Sequence, residues 1–212
     1  RPGPVLIDIP MNLQRVKIDP KKLKAYKPKI NKRNIDFKNI ISKIENLLKK
    51  SKKPVVILGG GIKYGKAELN LVNFLKTYKI PIVTTWSGVD LVDYNNEYYI
   101  GNVGVYGSRA ANFTVQNSDL ILCLGTRLDT RITGGVPKSF ARGAKKIVVD
   151  IDKFELEKRR GLKIDLKVEL DIKIFFQEYE KYKKEIIIKD DWLQKCKNWK
   201  RRYPLILKKF YN

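Results

Sequence analysis

Residues 118–135 read SDLILCLGTRLDTRITGG, and the reading of this stretch decides the fold. Leu120 to Leu124 form an unbroken apolar run, the pattern of a strand buried on both faces of a parallel sheet, and the run stops at Gly125. In open α/β sheets ligands settle just beyond the carboxyl ends of strands. This strand end offers bare backbone and then Arg127, Asp129 and Arg131 at alternate positions. On an extended segment the two guanidiniums share a side and make a phosphate clamp, because each presents a planar fork of donors that matches phosphate oxygens. The alternative is two solvated arginines paired with Asp129.

Outward from this strand, strands and helices alternate. Pro54 opens VVIL, a second buried strand, which breaks at Gly59-Gly60-Gly61 into a helix marked by Leu71, Phe74, Leu75 and Tyr78. IPIVTT, 80–85, is the next strand, so 54–85 forms one βαβ unit with a right-handed crossover. A loop-rich region with Gly88, Gly101, Gly104 and Gly107 and a short helix over 108–117 lead into 120–124. Downstream, KKIVVDID (145–152) is a buried strand ending in acid and IDLKVEL (164–170) a shorter one; Ile172, Phe175, Phe176, Tyr179 and Tyr182 mark the helix that follows. Such alternation means an α/β fold, a doubly wound, mostly parallel six-stranded sheet with helices on both faces, Rossmann-like in design.

The flanks read differently. VLIDIP, 5–10, is a strand closed by Pro10 and expected to belong to a preceding domain, and RPGPVLIDIP reads as a cut made mid-motif, hence a fragment of something longer. Residues 15–33 have linker composition. A helix begins near Asn34 or Asp36, with Phe37, Ile40, Ile41, Ile44, Leu47 and Leu48 on one face. From Asp191 the helical period returns through Trp192, Cys196, Trp199 and Tyr203. The expected organisation is a domain tail and linker over 1–35, a cofactor-binding domain over 36–186, and a helical linker over 187–212 toward a further domain.

The 212 residues carry a formal charge of +23, which invites a nucleic-acid reading until its location is considered. Residues 54–151 hold 11 basic and 7 acidic residues, whereas 15–53 hold 15 basic and 3 acidic. The excess is flanking lysine without a recognition motif, so no specific nucleic-acid partner is expected. The sequence has no histidine, which excludes imidazole acid–base work and His-ligated metal within the chain. Cys123 and Cys196 have no metal spacing and read as buried free thiols of a reducing compartment, with the cytoplasm as default. No apolar run approaches a membrane span, so no membrane partner is expected.

The glycine turn fails the strict nicotinamide test. Gly59, Gly61 and Gly65 are spaced one residue too long, and the next strand ends in Thr84 and Thr85 where an acid should meet the ribose. An acid does end a different strand, at Asp150, so a dinucleotide laid across several strand ends fits better than the ordinary pose.

In this order and spacing RPGPVLIDIP, VVILGGG, IPIVTT, GVYG, SDLILCLGTRLDTRITGG and VVDID resemble the central domain of thiamine-diphosphate-dependent enzymes, most closely the acetolactate synthase large subunit family. The resemblance covers roughly residues 1 to 185. It implies a parent enzyme that decarboxylates a 2-keto acid and joins the product to an acceptor. Thiamine diphosphate and magnesium would be held by N- and C-terminal domains that this sequence lacks. No catalytic or metal-binding residue then lies in this chain, which alone is expected to be inactive, and the parent is expected to be a homo-oligomer. In that family the central domain binds FAD, and the alternative is a structural spacer with a vacant nucleotide cleft.

Carried over position by position, the resemblance implies FAD contacts at Arg1, at Gly60 and Gly61 of the glycine turn, and at Thr85 and Trp86 after the next strand. Val105 and Tyr106 follow, then Gly125, Arg127, Asp129, Arg131 and Ile132 of the central motif. Asp150 and Ile151 match an acidic-aliphatic pair near the adenosine, and Asp171 and Ile172 a further such pair. Two departures stand out. Met11 and Asn12 replace the usual Lys-Asp, and Val105-Tyr106 replaces the usual Met-His.

Overall fold

A computed structural model describes residues 3–27, 35–158, 161–183, 190–206 and 210. The chain divides into two compact units, Arg1–Asp36 and Phe37–Asn212. In the first, the described residues form one turn of helix, α1 (Met11–Gln14), and a 3-10 turn at Pro20–Lys22 capped by the Asp19 carboxylate. The strand expected at 5–10 does not form: Val5, Leu6 and Ile7 are exposed, and an isolated extended segment has no ladder partner to hold it as a strand.

The second unit opens with α2 (Phe37–Lys50), whose Ile41, Ile44 and Leu48 are buried at helical spacing. There follow β1 (Pro54–Leu58), α3 (Gly61–Tyr64), α4 (Glu68–Thr77), β2 (Ile82–Thr84), β3 (Tyr99–Asn102), α5 (Arg109–Gln116) and β4 (Leu120–Leu124). Next are α6 (Thr130–Thr133), β5 (Lys145–Asp150), α7 (Lys153–Glu157), β6 (Leu166–Glu169), α8 (Ile172–Tyr182) and α9 (Asp190–Arg202). The six strands form one sheet in the order β3-β2-β1-β4-β5-β6, every pair parallel. This is the doubly wound arrangement read from the sequence, and its switch point lies between β1 and β4.

The sixth strand is β3, which no strand pattern in the sequence marked. Tyr99–Asn102 lies in the stretch read as loop, because its apolar run is short and ends at Gly101. It sits at the sheet edge, paired only to β2 with an irregular register between Ile82 and Val83. The two central strands, β1 and β4, are buried along their whole length, which explains their unbroken apolar text.

Residue alternation divides the core. Val55, Ile57, Ile121, Cys123 and Val148 face one layer with Ala110, Val115, Phe140, Trp192 and Cys196. On the other layer α8 packs with α2, α3 and α4. Phe74, Tyr78, Phe176 and Tyr179 interlock there with ring centroids 5.1 to 5.8 Å apart. Within that apolar layer the Tyr78 hydroxyl donates to the buried Glu45 carboxylate at 2.6 Å, tying α2 to the end of α4.

Helix α9, in the segment expected to lead away from the domain, packs on α5 and β3. Trp192 buries its indole and donates Nε1–H to the Pro54 carbonyl at 3.0 Å, and Cys196 is fully buried beside it in the same layer.

Candidate cofactor site at the strand ends

At the switch point the chain closes on itself. Gly59 N donates to Leu124 O and Gly61 N to Gly125 O, both at 2.9 Å, so the turn after β1 is stitched to the end of β4. A methyl group at Gly61 would lie 2.7 Å from Gly125 O, and one at Gly125, where φ is +63°, would lie 2.9 Å from Ile62 N. At Gly60 a methyl would meet the Ser87 Cβ at 2.8 Å. The bareness of this turn serves backbone-to-backbone packing on the side where a side chain would stand.

From there a continuous arc of neighbours runs over the carboxyl ends of four strands. After β2, Thr85 is buried and its N–H donates to Leu58 O at 2.9 Å, while Trp86 is 64% exposed. The Trp86 ring stands edge-on to Tyr106, itself 76% exposed, at 5.3 Å. Tyr106 lies in the loop after β3, where Val105 N donates to Arg131 O at 2.8 Å and Gly104 is pressed against the same carbonyl. The Asn112 side chain of α5 holds this loop by bonding both Gly104 N and Gly104 O at 2.9 Å. Nothing in the sequence marked Asn112, since a lone asparagine in a short helix has no pattern of its own.

Arg127, Asp129 and Arg131 do not lie on an extended segment. Leu128 turns back with φ +49°, and the Asp129 carboxylate caps α6 by accepting from Arg131 N at 3.0 Å. An aspartate followed by residues free to turn is an N-cap, and here the cap outcompetes extension. Arg127 points to Asp129, with Nε 3.3 Å and Nη2 3.2 Å from Oδ2. Arg131 is exposed within α6, and Ile132 is half-buried against the apolar layer.

The arc ends at β5. Asp150 accepts from Asp152 N at 2.9 Å and lines a small cleft with Arg127, Glu155 and Lys158 over a floor of Leu128 and Leu156. The enclosed space there is about 10 Å³, room for about one water molecule. Ile151 is exposed beside it. Asp171 and Ile172 stand apart from the arc. Asp171 caps α8 by accepting from Lys173 N at 2.9 Å and Ile174 N at 3.2 Å, and buried Ile172 packs against Gly65. Arg1 lies outside the described residues. Among the described residues no group of three His, Cys, Asp or Glu could hold a metal ion, and no helix is long and apolar enough to cross a membrane.

Residues 41–179 match the family described as the thiamine pyrophosphate enzyme, central domain. Among curated relatives, the probable acetolactate synthase large subunit of Methanococcus aeolicus is 34% identical over 198 residues, 90% of this chain and 32% of the relative. The acetolactate synthase large subunit of Cyanidium caldarium is 35% identical over 216 residues, 97% of this chain and 36% of the relative. Isozyme 2 of the Escherichia coli (strain K12) acetolactate synthase large subunit is 33% identical over 199 residues, covering 92% and 34% respectively. The chain thus spans about a third of the length of these relatives. With most of its length inside the family match and its sheet all parallel, the chain belongs to the thiamine pyrophosphate enzymes, as their central domain.

Proposed function

We propose that this domain carries FAD across the carboxyl ends of its sheet, inside a thiamine-diphosphate-dependent 2-keto acid decarboxylase or carboligase of the acetolactate synthase kind. The arc from Trp86 through Tyr106, Arg131 and Arg127 to Asp150 carries the proposal. Its chemistry fits a dinucleotide in sequence: exposed aromatic and apolar side chains at Trp86, Val105 and Tyr106 for a planar ring, guanidiniums for a pyrophosphate, and a carboxylate for ribose hydroxyls. A carboxylate would repel phosphate, so its sign places Asp150 at the adenosine end. Arg127 is free to change partners at small cost. Its pairing with Asp129 is half-exposed, and such pairs are worth about 0–1 kcal/mol, less than the roughly 1.5–3 kcal/mol of a charge-assisted bond.

Residues 36–186 are then the core of the cofactor-binding domain, 1–35 the tail of a preceding domain, and 187–212, with α9 packed back onto α5 and β3, the lead toward a following one. The parent is a cytoplasmic homo-oligomer. Thiamine diphosphate, held with magnesium by those other domains, supplies the electron sink for decarboxylation. This chain supplies binding and support and is inert alone.

A second reading, a spacer whose nucleotide cleft stays vacant, has its own support. A side chain at Gly60 or Gly61 would meet Ser87 or Gly125, and the enclosed space of the cleft beside Arg127 and Asp150 is water-sized. One titration separates the two. FAD added to protein purified without flavin should quench its fluorescence, and Arg127→Ala should weaken binding roughly ten- to hundredfold, with Lys rescuing only in part. Equal affinities would remove Arg127 from the site. No quenching in the full-length parent would favour the spacer.

A further inference from the structure

The loop Val103–Ser108 that carries Tyr106 joins β3 to α5, and α9 is packed on both of those elements. At the β3 side, Lys200 is half-buried and its Nζ donates to Tyr99 O at 2.7 Å and Tyr94 O at 3.2 Å. The same ammonium stands 4.5 Å from the centre of the Tyr94 ring and 5.4 Å from that of Tyr99. One turn earlier Lys197 pairs with Glu97 at 3.4 Å. At the α5 side, Phe113 meets Trp199 at 6.0 Å and Tyr203 at 5.5 Å, edge to face. β3 is a four-residue edge strand with a ladder on one side only, so its position depends on what else grips it.

We propose that α9 is a strap that sets the position of β3 and α5 together, and so of Tyr106 in the loop between them and its contact with Trp86, with Lys200 as its positioning residue. The strap has its fixed end at Trp192, bonded to the start of β1, and its gripping end at Lys200, on the edge strand. A cation spanning two main-chain carbonyls and two aromatic rings resists sliding along the helix axis in a way that apolar packing alone does not. Movement of the Lys200 end of α9 would therefore be felt at Tyr106 before it is felt at the sheet centre. The inference concerns the Trp86–Tyr106 contact itself and holds whichever ligand the strand ends take.

Hydrogen exchange on the 212-residue chain tests it, with Lys200→Met as the main variant and Lys197→Ala as the milder one. The reporters are the amides of Val103, bonded to Thr84 O, Val105, bonded to Arg131 O, and Ser108, bonded to Asn102 O. The controls are Gly59 and Gly125, bonded to Leu124 O and Val149 O at the centre of the sheet. Lys200→Met should speed the reporters about tenfold, and Lys197→Ala by less, while the controls stay within about twofold of the parent. Equal acceleration of reporters and controls would mean ordinary global destabilisation and would overturn the strap. So would unchanged reporters.

Discussion

Replacing Gly61 with alanine separates a turn built for the protein from a turn built for a ligand. The added methyl would lie 2.7 Å from Gly125 O, about 0.7 Å inside the 3.4 Å limit of ordinary contact, and the obstacle is main chain that cannot rotate away. Relief requires the turn after β1 to part from the end of β4. That strains two hydrogen bonds, Gly61 N to Gly125 O and Gly59 N to Leu124 O, both 2.9 Å long. Overpacking costs roughly 1–3 kcal/mol and each weakened bond about 0.5–1.5 kcal/mol, so a loss of about 3 kcal/mol is expected. The measurement is urea unfolding of flavin-free protein, parent against Gly61→Ala, with Gly134→Ala as a comparison because a methyl there meets nothing within 4 Å and only its φ of +78° opposes it. Gly134→Ala should cost roughly 1–3 kcal/mol, because φ +78° with ψ −179° is backbone that only glycine adopts readily. If Gly61→Ala unfolded like the parent yet bound FAD poorly, the turn would belong to the ligand and the packing argument would fail.

Tyr78→Phe should lower stability by roughly 1.5–3 kcal/mol, because it strips a buried donor from the Glu45 carboxylate, and thermal unfolding should fall by several degrees; an unchanged midpoint would show that Glu45 is satisfied elsewhere. Alkaline pH should weaken the fold. Burial pushes the Cys196 thiol up to about 12 and raises Cys123, Tyr78 and Tyr179 as well. The unfolded chain releases these protons from about pH 9 upward while the folded one keeps them, so the stability they lend is intact below that pH and is lost as pH rises toward the folded values. Lys146, lowered by burial, works in the opposite sense and only offsets part of the fall. Unfolding midpoints recorded from about pH 8 to 11 should decline steadily, and a flat profile would refute the reasoning.

Much of this protein was written in its local text. Strands buried on both faces must be apolar throughout, so β1, β4 and β5 announced themselves and, with helices between them, fixed a parallel doubly wound sheet. The helical stripes of α2 and α8 were equally legible, since a one-sided core contact repeats at helical period. What the sequence could not decide were the features whose partners come from far away in the chain. Tyr99–Asn102 became a strand because β2 and α9 hold it, whereas VLIDIP, with a stronger strand pattern, did not become one. Gly59 to Gly61 read locally only as a bare turn, and it took Gly125 and Ser87, distant in sequence, to show what a side chain there would meet. Arg127 and Arg131 are two of the residues that first suggested a site, yet their directions were set by one capping carboxylate and a reversed backbone at Leu128. Periodicity records which side of an element is buried; only the tertiary structure settles what buries it, and the chemistry of the strand ends depends on that.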